Sequence, residues 1–135
     1  MYTEIKTVGD ALAKHLDGDE LRKVLEDLSA LPKKISAGAI ALISLQAVTE
    51  VVNNDDPKEP EFKPDYNNAN QDKWFPWFRG GDDSGAGFRF SDSLSDWAFT
   101  YACGGARLAL KNEERADHMA EHFLDLYKAL YLKLI

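Results

Sequence analysis

Residues 33–53 read KKISAGAIALISLQAVTEVVN and contain the longest charge-free stretch of the chain, Ile35 to Thr49. Apolar residues fall on every side of a helix drawn through this segment, which is typical of a largely buried helix. The charge-free stretch is shorter than the ~20 residues that a membrane-spanning helix requires. We therefore predict that residues 33–53 form the core helix of a globular protein and that nothing in the chain spans a bilayer.

Two shorter helices are predicted before this core helix. Between Asp19 and Ala30 the leucines and valine follow the i, i+3, i+4, i+7 spacing of one helix face, and Asp19 is placed to cap the helix. Pro32 then ends it, because proline cannot continue the backbone hydrogen bonds. Residues 7–16 predict a further short helix that stops at an Asp-Gly-Asp turn. Residues 1–53 are thus expected to form a helical half.

The composition changes after residue 53. Residues 54–72 contain prolines, asparagines and acids without an apolar period, which predicts an extended connector. Aromatic-rich segments separated by glycine-containing turns then predict the strands of an antiparallel meander. These segments are Trp74–Phe78, Gly87–Ser91, Trp97–Ala102 and, after Gly104-Gly105, Ala106–Leu110. Pro76 within the first of them predicts an edge position or a bulge, since proline cannot donate to a strand ladder.

The C-terminal segment predicts a final helix. Asn112 and the two glutamates after it are typical of a helix start, and an apolar stripe continues to Leu134. The predicted fold is one α+β domain over residues 1–135, with N-terminal helices, a three- to four-stranded antiparallel meander and a C-terminal amphipathic helix packed on the sheet. The sheet and this last helix occupy residues 73–135.

Charge and cysteine content narrow the classes of function. The formal net charge of −7 opposes general binding to nucleic acid backbones or anionic lipid, because such binding depends on lysine and arginine. Cys103 is the single cysteine and has no partner for an internal disulfide. The first residues lack the basic start and apolar run of a signal peptide. We therefore expect a cytoplasmic protein, located in the host cytoplasm if a phage encodes it.

No motif in the chain predicts a catalytic residue, a cofactor or a metal site. His118 and His122 are spaced i, i+4, but the order His-Met-Ala-Glu-His is not that of a zinc protease, and we expect both imidazoles to be solvent-exposed. Cys103 is predicted to be a buried small residue without a nearby base. The glycine-rich stretch from Gly80 to Gly87 lacks the lysine of a phosphate-binding loop and predicts a hairpin turn.

The concentration of aromatic residues is the most unusual feature. Most of them, including all 3 tryptophans, lie between Phe62 and Tyr101. Aromatic groups on both faces of one strand exceed what a single core face can use, so part of this surface is expected to be exposed or at an interface. Neighbouring cations suit stacking and anion contacts. The predicted ligand-binding residues are Asn70, Lys73, Trp74, Trp77, Phe78, Arg79, Arg89 and Arg107. Alternatively, the two sheet faces are covered by the helices and by a second subunit.

Residues 63–78, KPDYNNANQDKWFPWF, resemble a segment found in a group of small uncharacterised proteins from phages and mobile elements of Bacteroidetes. Further similar pieces are Gly87-Phe88-Arg89-Phe90, residues 105–111 and residues 122–127, so that the resemblance covers about residues 62–132. Members favour a Ser-Arg-Leu-Cys-Phe-Lys run where this chain has Ala106-Arg107-Leu108-Ala109-Leu110-Lys111. Any role of that cysteine in those proteins therefore does not apply to this chain. The resemblance implies a phage or prophage setting and adds no catalytic residue.

Three functions stay open on the sequence. The leading prediction is a non-enzymatic binding protein, expected to be a homo-oligomer, whose aromatic β surface engages a host protein or sequesters a small ligand. The alternative is a single-stranded nucleic-acid binder that stacks bases on Trp74, Trp77, Phe88 and Phe90, which the acidity of the chain opposes. The third is an enzyme that uses scattered carboxylates such as Asp65, Asp92 and Asp96.

Overall fold

A computed structural model describes residues 1–79, 87–96 and 106–131. Within these ranges the protein is α+β, with five α-helices and one two-stranded antiparallel sheet. The helices are α1 (Val8–Lys14), α2 (Gly18–Ser29), α3 (Lys33–Asn53), α4 (Glu113–His122) and α5 (Leu124–Tyr131). The strands are β1 (Lys73–Arg79) and β2 (Arg89–Asp96), and 3-10 turns cover Tyr2–Glu4 and Ala106–Leu108.

The N-terminal helices follow the sequence prediction closely. The Thr7 side chain caps α1 by accepting a hydrogen bond from the Asp10 N–H, and the Asp10 carboxylate accepts from the Thr7 N–H in return. The start of α2 differs from the prediction, because Asp17 rather than Asp19 is the N-cap residue and makes no side-chain cap hydrogen bond. Helix α3 has the predicted bounds.

The predicted three- to four-stranded meander is not seen in the described residues, which form two antiparallel strands. The segment Ala106–Leu110 was expected to be a strand, but it forms a 3-10 turn and a single bridge between Leu110 and Trp74. Its two backbone hydrogen bonds to Trp74 are both 2.9 Å long. The predicted strand Trp97–Ala102 lies outside the described residues. A bulge does occur in the hairpin, one residue beyond Pro76, between Trp77 and Phe78.

The predicted single C-terminal helix is two helices, which meet at Phe123. This residue has φ −125° and ψ 24°, outside the helical range, and its N–H still donates to the Met119 carbonyl. Helix α4 packs against both strands, whereas α5 packs against α3. The break allows the chain to bury Phe123 and Tyr127 in the space between the sheet and α3.

The main core is formed where α3, α4, α5 and the hairpin meet. Its members are buried, and the large apolar ones that are almost completely enclosed are Ile5, Leu45, Val48, Val52, Leu110, Met119 and Tyr127. Phe78 extends this core from the hairpin, since its ring stacks on Phe88 at 5.0 Å and lies 4.9 Å from the ring of Tyr127. The core therefore fixes the inner face of the hairpin.

Helix α3 also has a composition that suits a membrane. Within the described residues it is the one helix long and apolar enough to cross a bilayer, with a mean hydropathy of 1.7, and half of that window is buried in the fold. Core helices of globular proteins share these properties. The expectation that nothing in the chain spans a bilayer stays a prediction.

Candidate functional site

The outer face of the β1–β2 hairpin carries part of the predicted binding set. Residues directly opposite each other in an antiparallel pair project to the same face. The register places Phe75 opposite Leu94, Trp77 opposite Asp92 and Arg79 opposite Arg89. Alternation along β1 places Phe75, Trp77 and Arg79 on one side and turns Trp74, Pro76 and Phe78 towards the core. We call the six residues of these three pairs the outer hairpin face.

This face is accessible and has an unusual charge arrangement. Trp77 is 45% exposed and Leu94 is 43% exposed, and both arginines are exposed. Two like charges directly opposite each other destabilise a strand pair. Arg89 donates from Nη1 to the Gly87 carbonyl at 3.0 Å, and among the described residues neither arginine makes an ion pair. The hairpin therefore presents two guanidinium groups side by side, next to an indole ring.

Three other predicted binding residues lie inside the fold. Trp74 and Phe78 pack against the core cluster. Lys73 is fully buried, and its ammonium group donates to the Asn68 carbonyl at 2.8 Å and lies 5.3 Å from the centre of the Tyr66 ring. These contacts hold the connector against the start of β1, so the structure separates the three residues from the outer hairpin face.

Asn70 and Arg107, the last two predicted residues, lie in other places. Asn70 is exposed in the connector, where its N–H donates to the Asn68 side chain at 2.9 Å. Arg107 is exposed and lines a groove between the N-terminal segment, the end of α3 and the connector. The structure therefore divides the predicted set among an outer face, a buried layer, a connector turn and a groove.

The groove has a volume of about 860 Å³, within the size range of small-molecule sites. Its walls include Ile5, Leu16, Phe62, Thr49 and the hydrogen-bonded pair of His15 and Glu50. Most lining charges are already neutralised, because Lys14 contacts Glu4, Lys63 contacts Glu61 and Asp55 is paired with Arg115. Arg107 lines the groove without an ion pair to any residue in the described ranges.

The imidazole in this groove has a fixed role. His15 Nδ1 lies 3.0 Å from the Asp17 N–H, which can only donate, so Nδ1 is the acceptor. His15 Nε2 therefore carries the proton and donates to Glu50 Oε2 at 2.6 Å. Both ring nitrogens are occupied by contacts within the fold. His15 thus joins the end of α1 to α3 and is not poised as a general base.

A polar cluster beneath the N-terminal segment was not predicted from the sequence. Asp55 accepts a hydrogen bond from Arg115 Nη2 at 2.7 Å and from the Tyr2 N–H at 2.6 Å. Arg115 also donates to the Val52 carbonyl and stacks over the Tyr2 ring at 4.4 Å. Burial alone would raise the pKa of Asp55, but the hydrogen bonds from Arg115 and Tyr2 outweigh it and lower the pKa overall. The cluster is satisfied internally and is structural.

The prediction that His118 is solvent-exposed is wrong. Its Nε2 donates to the Ile5 carbonyl at 2.6 Å, and the Tyr2 ring covers it edge-on at 5.3 Å. The N-terminal segment packs over α4 and buries the imidazole, a contact between residues 113 positions apart in sequence. Burial, with a smaller contribution from nearby His122, lowers the pKa of His118. His122 lies partly exposed beside it.

Two of the carboxylates considered for catalysis, Asp65 and Asp92, lie in different parts of the fold. Asp65 accepts a hydrogen bond from the Asn67 N–H in the connector, and Asp92 accepts from the Ser93 N–H in β2. Asp96 ends β2 opposite Lys73. Among the residues that the structure describes, no group of three or more histidines, cysteines and acids could hold a metal ion.

Comparison of the chain with protein-family models, curated proteins and solved structures gives no match in any of the three. The site is therefore interpreted from its own geometry.

Proposed function

We propose that this protein is a non-enzymatic binding protein whose partner docks on the outer hairpin face. The observation that supports the proposal is the arginine pair, Arg79 opposite Arg89, beside the exposed ring of Trp77. Like charges directly opposite each other repel in the free protein, and a bound carboxylate relieves that repulsion through charge-assisted hydrogen bonds. Trp77, Phe75 and Leu94 add apolar contact area of the kind that anchors protein interfaces.

The chemistry of this face defines the partner. It must present an acidic group to the arginines and a flat or aliphatic group to Trp77. A protein that exposes aspartate or glutamate next to an apolar side chain meets both requirements. Following the resemblance to phage and mobile-element proteins, we propose a host protein in the bacterial cytoplasm as that partner.

The experiment is affinity capture from a bacterial host lysate, followed by titration of the purified partner. We expect one partner to bind the wild-type chain and to lose affinity by at least about a hundredfold with Arg79→Glu/Arg89→Glu, because the two arginines contribute charge-assisted hydrogen bonds of on the order of 1.5–3 kcal/mol each. Trp77→Ala should weaken binding independently. Arg22→Glu is the matched control, since it reverses an exposed arginine on α2.

The outcomes separate the candidate functions. Equal capture by the wild-type chain and both hairpin variants would rule out this face. Retention of a single-stranded oligonucleotide that decreases steeply with salt and requires Trp77 would favour nucleic-acid binding instead.

The groove supports a second candidate, a site for a small anionic ligand held by Arg107. The observation behind it is that, among the described residues, Arg107 is the one groove cation without an ion pair. Native mass spectrometry of the protein with a mixture of nucleotides tests it. A discrete added mass that disappears with Arg107→Glu and persists with Arg79→Glu/Arg89→Glu assigns the ligand to the groove. The opposite pattern assigns it to the hairpin, and no added mass contradicts a nucleotide ligand.

A further inference from the structure

The first half of α3 is apolar but not enclosed by the fold. Apart from Ser36, every buried residue of this helix lies at Ala41 or beyond it. A helix that is apolar on all sides is normally buried on all sides. Helix α2, which packs on α3, is itself incompletely covered, because Gly18 is its one buried residue. The two helices therefore carry apolar surface that contacts within the described chain do not cover.

The uncovered surface of α3 forms a regular stripe. Ile35, Gly38, Ala39 and Leu42 are all exposed and follow the i, i+3, i+4, i+7 spacing of one helix face. Ile35 is 65% exposed and Leu42 is 38% exposed, and Leu31 and Val24 add further exposed apolar area nearby. These four large side chains leave roughly 300–400 Å² in water, the scale at which apolar patches mark interaction sites.

Gly38 gives a second, independent indication. A methyl group added at this position would meet no atom within 4 Å. Glycine inside a helix is less favourable than alanine, because it loses more backbone freedom on folding. The described chain makes no contact that requires glycine here. A second helix crossing closely at this point would require it, since small residues allow two backbones to approach.

The charges beside the stripe indicate what covers it. Lys33 and Lys34 begin α3, Glu26 and Asp27 lie on α2, and none of the four forms an ion pair within the described ranges. A surface with unpaired charges of both signs suits a partner with the same mixture. Glu26 and Asp27 weaken the attraction of this part of the chain to an anionic bilayer.

The stripe also complements itself. Its order of large, small, small and large side chains is the same in both directions along the helix. In a two-fold arrangement each copy offers the same patch to the other. We propose that a second copy of this chain covers the stripe, with the two α3 helices antiparallel and crossing at Gly38 and Ala39. Ile35 of one copy then packs beside Leu42 of the other.

Sedimentation velocity of the full chain at micromolar to submillimolar concentration tests the proposal. We expect a reversible dimer whose dissociation constant rises at least about a hundredfold with either Ile35→Glu or Leu42→Glu, because each substitution buries an unpaired carboxylate in the interface. Leu16→Glu is the matched control and should leave the dimer unchanged, since Leu16 is fully exposed and lies outside the stripe.

A crosslinking measurement supports the assignment if a glutamate variant fails to fold. Ala39→Cys, made with Cys103→Ser, should form a disulfide-linked dimer under oxidation because the two copies cross at residue 39. A wild-type chain that stays monomeric at every concentration overturns the proposal, as does a dimer that both glutamate variants leave intact. Binding to phosphatidylcholine–phosphatidylglycerol vesicles that Ile35→Glu abolishes, without dimer formation, assigns the stripe to a membrane instead. None of these outcomes depends on the protein that we propose to bind the outer hairpin face.

Discussion

Two buried side chains, Tyr127 and Thr49, carry hydroxyl groups with no hydrogen-bond partner among the described residues. An unpaired hydroxyl loses its hydrogen bonds to water on folding and gains none in return, which costs about 1–3 kcal/mol. Burial also raises the pKa of Tyr127, so the phenol stays neutral. The apolar atoms of both side chains therefore stabilise the fold, whereas their buried hydroxyl groups destabilise it.

Removal of the Tyr127 hydroxyl should stabilise the protein. We expect Tyr127→Phe to raise the free energy of unfolding by about 1 kcal/mol, because the ring contact with Phe78 remains and an unpaired polar group is lost. Urea denaturation followed by circular dichroism measures the change. Thr49→Val should act in the same direction. A loss of about 1 kcal/mol or more in Tyr127→Phe would mean that the hydroxyl has a partner in solution, such as a buried water.

His118 should make stability depend on pH. Its pKa in the folded protein lies below the ordinary value of 6.5, so the unfolded chain binds the proton first as the pH falls. The free energy of unfolding is therefore highest above pH 6.5 and decreases as the pH falls through and below that value. His118→Gln keeps a donor for the Ile5 carbonyl and should flatten this dependence. An equal slope in both proteins would assign the effect to other groups.

At the scale of the element, apolar periodicity and proline positions predicted the N-terminal helices correctly, because these patterns act within one helix. The C-terminal helix and the segment 106–110 were predicted less well. No proline or glycine marks the break at Phe123. The break accompanies the burial of the Phe123 and Tyr127 rings, which depends on tertiary contacts. Residues 106–110 have an apolar sequence that fits a strand, but one bridge to Trp74 leaves the remaining residues free to form a 3-10 turn.

Gly18, at the start of α2, and Gly38, inside α3, should respond oppositely to substitution by alanine. In the Ile35→Glu background, Gly38→Ala should raise the free energy of unfolding by about 0.5–1 kcal/mol, because the new methyl group meets no atom and the unfolded chain loses freedom. Gly18→Ala should lower it by about 1–3 kcal/mol, since its Cβ would lie 2.0 Å from the Leu12 carbonyl oxygen. Thermal unfolding compares the two. Stabilisation by Gly18→Ala would contradict this close approach.

At the scale of the whole molecule, the helical half and the C-terminal half are joined by buried polar contacts. Asn53 donates to the Ala109 carbonyl at 2.9 Å and accepts from the Lys111 N–H at 3.0 Å. Asp55 and Arg115 form a second link between the same halves. These contacts connect residues far apart in sequence, so neither half can separate without leaving polar groups unpaired.

The two halves should therefore unfold together. We expect tryptophan fluorescence, to which Trp74 and Trp77 of the hairpin contribute, and far-ultraviolet circular dichroism, which reports mainly on the helices, to give coincident urea transitions. Asp55→Ala should shift both transitions equally and lower the free energy of unfolding by about 3 kcal/mol, because it leaves the Arg115 guanidinium buried without its carboxylate. Asp72→Ala, at an exposed carboxylate, is the control. Transitions that separate in the wild-type chain would indicate two independent units.

The sequence by itself determined the α+β class, the N-terminal helices and the presence of β1, because short-range periodicity and composition govern these features. Only the tertiary structure decided that Arg79 stands opposite Arg89, that Lys73 is buried and that His118 lies under the N-terminal segment. Strand register and long-range burial depend on which segments meet in space. Spacing along one chain does not contain that information.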